Sequence, residues 1–262
     1  MNFIDGIDIS GMQGDIDAEK IAKAGFKFAY VKASQYSSTR DLKFDQYVKQ
    51  LKAAGLHVGA YHFCFQGSDP EDQMKFFYNA CEGLGSQVGD MPPMIDWEFC
   101  KNDAQGNPLT PNRCVEWLET ASAKASKLWY PDTAQRLLDG FQARKPVIYT
   151  YPYFASQHQP LLADSGVWQY PLCYASYKSE GQKLVAWYPP KEGKTSPLHK
   201  LPAPWKDWTL WQYSGNFGTK VPGVGPDCDR QLFNGTYEDL LRFCGATELT
   251  QGRDVLVKEE ES

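Results

Sequence analysis

No stretch of the sequence approaches the ~20 consecutive apolar residues that a membrane-spanning helix needs, so we expect no insertion into a membrane. The start of the chain, residues 1–6, also lacks the basic and apolar regions of a secretory signal peptide. These two absences predict a chain that is synthesised in the cytoplasm without an export signal.

Basic runs and metal-ligand motifs are missing as well. The formal net charge is −5 and no five consecutive basic residues occur, which argues against a protein whose main role is binding nucleic acid. The seven cysteines include no C-x-x-C pair and no Cys/His cluster at zinc spacing, so we expect most of them to be reduced core residues. No G-x-S-x-G nucleophile elbow is present.

The sequence does contain enough apolar mass for one large core. Its 262 residues are 42% hydrophobic and 23% charged, and this length falls within the range of a single α/β barrel. We predict one barrel domain over residues 1–245 and a C-terminal tail over residues 246–262. Aromatic residues make up 14% of the chain, with 8 Trp and 15 Tyr, and their rings either fill a barrel core or stack on sugar rings.

Short apolar runs alternate with amphipathic segments over the first half of the chain. Strands are predicted at residues 4–9, 26–33, 57–63, 92–98 and 146–151, and helices at 17–24, 41–54, 70–81, 111–128 and 133–143. This alternation is typical of β/α units around a mainly parallel sheet. Further predicted strands at 171–177, 184–187 and 208–213 have no long helices between them, so the barrel should end in bare strands. Segment 178–205, rich in Pro, Lys and Gly, is expected to be a surface excursion.

The strongest chemical signal is Asp96-Trp97-Glu98 in the fourth predicted strand. Residues two apart in a strand point to the same side, so Asp96 and Glu98 should project together. Two adjacent carboxylates repel each other, and one of them then keeps its proton to higher pH. Hydrolysis of a glycosidic bond uses such a pair, an acid for the leaving oxygen and a carboxylate for the anomeric carbon. An isolated D-x-E triplet is nevertheless common, and either carboxylate could instead cap a helix or pair with a lysine.

Other acidic residues are predicted near the same end of the barrel. Asp8 closes the first predicted strand, and the reacting groups of β/α barrels collect at the C-terminal ends of strands. Segments 211–215 and 227–233 would bring further aromatic and acidic side chains, among them Asp229, to the closing strands. Asp8 is therefore a third candidate carboxylate.

In combination these segments resemble the glycoside hydrolase family 25 lysozymes. The matching motifs occur in the order of the family and cover nearly the whole chain. They are Gly6-Ile7-Asp8-Ile9-Ser10 with Gln13-Gly14 and Ile16-Asp17, Tyr30-Val31-Lys32-Ala33, Gly59-Ala60-Tyr61-His62-Phe63, Asp96-x-Glu98, Pro146-Val147-Ile148-Tyr149 and Leu210-Trp211-Gln212-Tyr213.

The resemblance implies an irregular TIM-like α/β barrel of about five β/α units closed by about three further strands. It also implies hydrolysis of the β-1,4 bond between N-acetylmuramic acid and N-acetylglucosamine in bacterial peptidoglycan, without a cofactor or a metal. By this resemblance Glu98 is similar to the general acid, Asp96 to its partner carboxylate, and Asp8 and Asp229 to the two flanking acids. The positions implied to line the substrate groove are Tyr61, Lys32, Tyr149, Tyr174, Trp211 and Gln212.

Two motifs depart from the family pattern. Cys173-Tyr174-Ala175-Ser176-Tyr177 stands where members often carry Trp-x-Ala-x-Tyr. Asp229-Arg230-Gln231-Leu232-Phe233 stands where they tend to show Asp-x-Asn-x-Phe. The aromatic residues that the resemblance places in the groove could instead fill the barrel core.

Several alternatives stay open at this point. A carboxylate could attack the anomeric carbon directly, or Asp96 could orient the N-acetyl oxygen of the substrate for attack, and the D-x-E spacing favours the second route. A chitinase-like glycosidase and a wall-binding barrel without turnover are the competing functions. The missing export signal would suit a monomeric phage endolysin that reaches the glycan strands of the wall through holin lesions and lyses the host cell.

Overall fold

Strands and helices alternate over most of the structure, a computed structural model that describes residues 3–99, 102–103, 105–132, 144–180, 183–185, 189, 196–215, 219–225 and 227–246. The strands within these residues are β1 (Phe3–Ile9), β2 (Phe28–Gln35), β3 (Thr39–Arg40), β4 (His57–Phe63), β5 (Met94–Asp96), β6 (Val147–Thr150), β7 (Leu172–Ala175), β8 (Ser179–Glu180), β9 (Lys183–Leu184), β10 (Leu210–Ser214) and β11 (Asp229–Asn234). The α-helices are α1 (Ala18–Lys23), α2 (Phe44–Ala53), α3 (Pro70–Ala80), α4 (Pro111–Trp129), α5 (Pro152–Gln157), α6 (Leu161–Asp164) and α7 (Tyr237–Phe243).

Eight of these strands close into a barrel. Their order around the barrel is β1, β2, β4, β5, β6, β7, β10 and β11, and β11 pairs with β1 to complete the ring. Neighbouring strands from β1 to β10 run parallel, whereas β11 is antiparallel to both β10 and β1. The short strand β3 adds to the edge of β2 outside the ring. The C-terminal ends of seven strands and the N-terminal end of β11 therefore meet at one mouth.

The predicted division into five β/α units and three closing strands is confirmed. Strands β1, β2, β4, β5 and β6 are each followed by a helix, and β7, β10 and β11 complete the ring. The prediction of a barrel strand at 184–187 was wrong for its described part, because Lys183–Leu184 pairs with β8 in a separate hairpin and Leu184 is 41% exposed. β11 takes the place of that strand. The helix predicted at 133–143, Trp187 and residues 247–262 of the tail lie outside the described residues.

Helix starts follow from capping residues in the sequence. Asp17 accepts a hydrogen bond from the backbone N–H of Lys20 (3.0 Å), and Asp69 accepts one from Asp72 (2.9 Å) ahead of Pro70. Helix α2 begins at Phe44, later than the predicted start at residue 41, and the Asp41 carboxylate instead accepts hydrogen bonds from the backbone N–H groups of Gly11 (2.9 Å) and Lys43 (2.9 Å). No helix in the described ranges is both long and apolar enough to cross a membrane.

Apolar side chains pack on both sides of the barrel wall. On β2, Ala29 and Val31 face the helices, whereas Phe28 and Tyr30 fill the interior. The interior has room for these rings because glycines face them. A Cβ on Gly6 would lie 2.2 Å from the Phe28 ring, and one on Gly59 would lie 2.6 Å from the Tyr30 ring. Near the mouth the interior opens into a cavity, where the polar residues of the next section lie.

Candidate active site

Four carboxyl groups meet at the mouth of the barrel. Asp8 lies near the C-terminal end of β1, Asp96 ends β5 with Glu98 two residues beyond, and Asp229 begins β11. All four line one deep cavity of about 110 Å³. The antiparallel direction of β11 matters here, because its first residue, and not its last, lies at the mouth.

Asp96 and Glu98 face the same cavity, as the alternation of a strand predicts. The chain stays paired with β6 beyond the end of β5, since the Trp97 N–H donates to the Tyr149 carbonyl (2.9 Å). The Trp97 side chain points to the opposite side, where its ring packs against Phe154 (4.7 Å between centroids). Trp97 thereby fixes the strand end so that both carboxyl groups point into the cavity.

Asp8 and Asp229 are direct neighbours across the β1–β11 pair. Two amide groups hold Asp8, because the Nε2 atoms of Gln212 and Gln231 both donate to its Oδ2, at 2.8 and 2.7 Å. Gln212 also lies 3.5 Å from the Oδ2 of Asp229. Interaction with Asp8 raises the pKa of Asp229, whereas interaction with Asp229 lowers the pKa of Asp8, so the pair shares one proton. The two amide donors stabilise the charge on Asp8, so the proton belongs to Asp229.

The orientation of Gln212 is set from its other side. Its Oε1 accepts hydrogen bonds from the hydroxyl groups of Tyr149, at 2.9 Å, and Tyr177. With the oxygen occupied by two phenol donors, the amide nitrogen must face Asp8. Two tyrosines, one glutamine and one aspartate therefore form a continuous chain of hydrogen bonds across four strands or strand ends.

Burial makes the cluster resist ionisation. Burial, with the nearby Asp8, raises the pKa of Glu98 to about 7, while Lys32 acts in the opposite direction. Burial and the charge on Asp8 raise the pKa of Asp229 to about 9. Burial also raises the pKa of Asp8 against the effect of its amide donors, and burial and Glu98 raise the pKa of Asp96 well above its usual value. The cluster therefore carries protons at neutral pH, and Glu98 is able to exchange one near pH 7.

A larger groove adjoins the cavity. It has a volume of about 600 Å³ and shares Phe63, Glu98 and Tyr149 with the cavity. Aromatic side chains line much of it, namely Phe63, Phe99, Tyr149, Tyr151, Tyr153 and Tyr177. Glu98 is only partly buried and lies where the two spaces join, so it can reach a molecule bound in the groove.

Four of the six predicted substrate-binding residues lie at this site. Lys32, Tyr61, Tyr149 and Gln212 line the cavity. Tyr174 and Trp211 do not, because both side chains lie on the outer face of the barrel wall, where Tyr174 instead lines a separate groove beside helix α5. The indole N–H of Trp211 donates to the Ser176 carbonyl (2.9 Å), and Trp211 is completely buried.

Sequence reasoning missed two residues of the site, Gln231 and Tyr177. Gln231 lies two residues after Asp229 on β11, so it faces the same side and reaches Asp8. Tyr177 continues the inward series of Cys173 and Ala175 beyond the end of β7. The same alternation that identified Asp96 and Glu98 would have identified both.

In the described part of the chain, no three or more His, Cys, Asp or Glu side chains are arranged to hold a metal ion. That the reaction needs no metal or cofactor stays a prediction.

A barrel with clustered carboxyl groups at its mouth, beside a groove lined by aromatic rings, has the site of a glycoside hydrolase. Comparison with known proteins agrees. The family described as Glycosyl hydrolases family 25 matches residues 7–223, so the chain belongs to glycoside hydrolase family 25 and is a glycosidase. The match ends before Asp229, whose place in the site is therefore supported by the geometry alone.

Relatives and solved structures are similar over nearly the whole chain. Lysozyme M1 of Streptomyces globisporus is 26% identical over 93% of this chain and 72% of its own length. The N,O-diacetylmuramidase of Arthroderma benhamiae is 22% identical over 92% of this chain and 86% of its own. The structure of a bacterial lysozyme from Streptomyces coelicolor superposes with a TM-score of 0.72 at 26% identity, covering 92% of this chain and 96% of that one. A family 25 lysozyme from Aspergillus fumigatus gives a TM-score of 0.69 at 25% identity, covering 93% and 100%.

Proposed function

We propose that the protein is a lysozyme that hydrolyses the β-1,4 bond between N-acetylmuramic acid and N-acetylglucosamine in peptidoglycan. The single observation that carries this proposal is the position of Glu98, a carboxyl group with a raised pKa at the junction of a carboxylate-lined cavity and an aromatic groove. Membership of family 25 and the names of the relatives, lysozyme and N,O-diacetylmuramidase, support this choice of substrate.

Glu98 is proposed as the general acid. Its pKa of about 7 lets it hold a proton at neutral pH and release it to the leaving glycosidic oxygen. Its partial exposure lets it contact a glycan that lies in the groove. Lys32, which lowers the pKa of Glu98, also stabilises the carboxylate that remains after proton transfer.

Asp96 is proposed to stabilise the positive charge that develops at the anomeric carbon. Asp96 lines the cavity, and its Oδ1 has no hydrogen-bond partner among the described residues, which leaves this oxygen available for a sugar bound there. The same geometry serves direct attack on the anomeric carbon and orientation of the N-acetyl group of the substrate. A covalent adduct trapped on Asp8 or Asp96 would identify direct attack, and repeated failure to trap one would favour the N-acetyl route.

The decisive experiment is mass spectrometry of the fragments released from purified sacculi. New reducing ends on muramic acid are the expected result. Reducing ends on glucosamine, or cleaved peptides, would refute the proposal and favour another hydrolase. Chitin oligomers digested in parallel test a chitinase-like activity, and binding without any release would identify a wall-binding barrel.

Three further predictions from the sequence belong with this proposal. They are a catalytic unit over residues 1–245 with a tail over 246–262, a monomeric enzyme, and a role as an endolysin in lysis of the host cell. Light scattering of the purified protein tests the second prediction. Deletion of residues 246–262 tests the first, because the shortened protein should keep its full activity on sacculi.

A further inference from the structure

A second groove continues from the catalytic groove on the side of helix α5. It has a volume of about 640 Å³ and shares Pro152, Tyr153 and His199 with the catalytic groove. Tyr153 and His199 therefore form the border between the two, and Tyr153 is 68% exposed. A substrate molecule bound at Glu98 can extend past this border without leaving the protein surface.

Hydrogen bonds from the barrel fix the far wall of this groove. The hydroxyl group of Tyr174 donates to the Lys200 carbonyl (3.0 Å), and Gln159 donates to the Ala203 carbonyl. The backbone N–H of His199 donates to the hydroxyl oxygen of Ser176 (3.0 Å). The hydrogen of the same hydroxyl group is then donated to Nδ1 of the His199 ring (2.8 Å). The ring proton of a neutral His199 is then on Nε2, which makes this atom a donor. The wall is thus formed before any substrate binds.

The chemistry of the second groove differs from that of the cavity. Four carboxyl groups line the cavity, whereas no acidic residue is found among the described residues that line the second groove. Its floor is apolar, with Pro152, Leu201 and Pro202, and its polar groups include the exposed Lys200. A sugar would need carboxylate or amide partners for its many hydroxyl groups, and the one side-chain amide among the described lining residues, that of Gln159, already donates to the Ala203 carbonyl. A cation and an N–H donor above an apolar floor instead suit a short peptide that has small side chains and free carboxylates.

We propose that the second groove binds the acidic stem peptide that is attached to the muramic acid of the strand being cleaved. Lys200 pairs with a peptide carboxylate, and His199 Nε2–H donates to a peptide oxygen. The inference rests on the proposed lysozyme function, because only a peptidoglycan substrate carries such a peptide beside the scissile bond. It makes the enzyme selective for strands that still carry their peptides.

The test compares two substrates, glycan strands with their stem peptides and the same strands after an amidase has removed them. The readout is the ratio of kcat/KM for peptide-bearing strands to that for peptide-free strands. The wild type should have a ratio above one. Lys200→Ala should lower the ratio about fivefold, which corresponds to about 1 kcal/mol, the upper range for an exposed ion pair. Lys200→Arg should keep the wild-type ratio, and added salt should lower it in the wild type.

Lys206→Ala is the matched control, since Lys206 is another exposed lysine in a separate pocket beside β10, and this variant should leave the ratio unchanged. A wild-type ratio of one would overturn the inference while leaving the lysozyme function intact. An equal loss on both substrates in Lys200→Ala would also overturn it, because the groove would then hold the glycan itself. If neither substrate yields reducing ends on muramic acid, the lysozyme function fails, and this inference fails with it. Thermal unfolding of each variant checks that the fold is unchanged.

Discussion

Replacing Asp229 with asparagine is expected to stabilise the folded protein increasingly as the pH rises. Burial and the charge on Asp8 raise the pKa of Asp229 from 3.8 to about 9. In the unfolded chain this carboxyl group ionises at about pH 4. Between about pH 4 and about pH 9 the folded wild type therefore binds one proton more than the unfolded chain, and its stability falls as pH rises through that window. Asparagine has nearly the same shape and can donate to Asp8, but it never ionises.

The magnitude follows from the proton count. One bound proton changes the free energy of unfolding by about 1.4 kcal/mol per pH unit. The interval from a pKa of 3.8 to pH 7 is about three units, so the upper limit of the gain at pH 7 is about 4 kcal/mol. At about pH 4 the two proteins should be almost equally stable. The test therefore uses the change with pH of the difference in the free energy of unfolding between the two proteins.

The assay is denaturant unfolding at a series of pH values, followed by tryptophan fluorescence. The free energy of unfolding of Asp229→Asn minus that of the wild type should rise with pH. Asp132→Asn, which removes an exposed carboxylate outside the cavity, controls for the change in net charge. A difference that stays constant with pH would refute the protonated, buried state of Asp229.

Four other predictions concern the site and the barrel wall beside it. Glu98→Gln should lower kcat about 10²- to 10⁴-fold while the protein still sediments with sacculi, and loss of sedimentation would contradict a role in chemistry alone. In the wild type, kcat/KM should fall as pH rises through about 7, because the acid form of Glu98 is lost, and a profile that is flat there would assign the acid elsewhere. Gln231→Leu removes one donor from Asp8 and should lower kcat more than it raises KM, whereas an unchanged kcat would mean that Gln212 alone holds Asp8. Trp211→Ala should cost about 3–5 kcal/mol of stability yet leave the KM of the folded enzyme unchanged, and a raised KM would place Trp211 in the groove after all.

The main features of the fold could be predicted because they depend on the regular spacing of apolar residues in strands and helices, which recurs along the chain. Alternating apolar runs identified the first four β/α units and the fifth strand, but not helix α5 after it, and the period of two placed Asp96 and Glu98 on one side of their strand. The closing strands were harder to predict. Leu184 begins an apolar run that reads like a strand, but whether a strand joins a barrel depends on neighbours that are distant in sequence. The partners of β11, for example, are residues 3–8 and 210–214.

The misplaced groove residues show a limit of motif reasoning. Trp211 and Gln212 are adjacent in one strand, so they point to opposite faces and cannot both line the cavity. Gln212 faces Asp8, and Trp211 must then face outward. Strand alternation alone therefore excludes the prediction that both residues line the cavity. The structure was needed only to show which of the two faces inward. Tyr174 is similar, because its neighbours Cys173 and Ala175 take the inward positions.

The pairing of β1 with β11 joins two members of the acid cluster that are far apart in the sequence, at positions 8 and 229. A nascent chain on the ribosome therefore has no complete cluster until residue 229 has been synthesised and β11 can pair with β1. The same arrangement makes the activity of the folded enzyme depend on the pairing of β1 with β11. Thermal fraying of either terminal strand would separate Asp8 from Asp229 while the other six strands stay together, so catalysis should be lost at a lower temperature than bulk secondary structure.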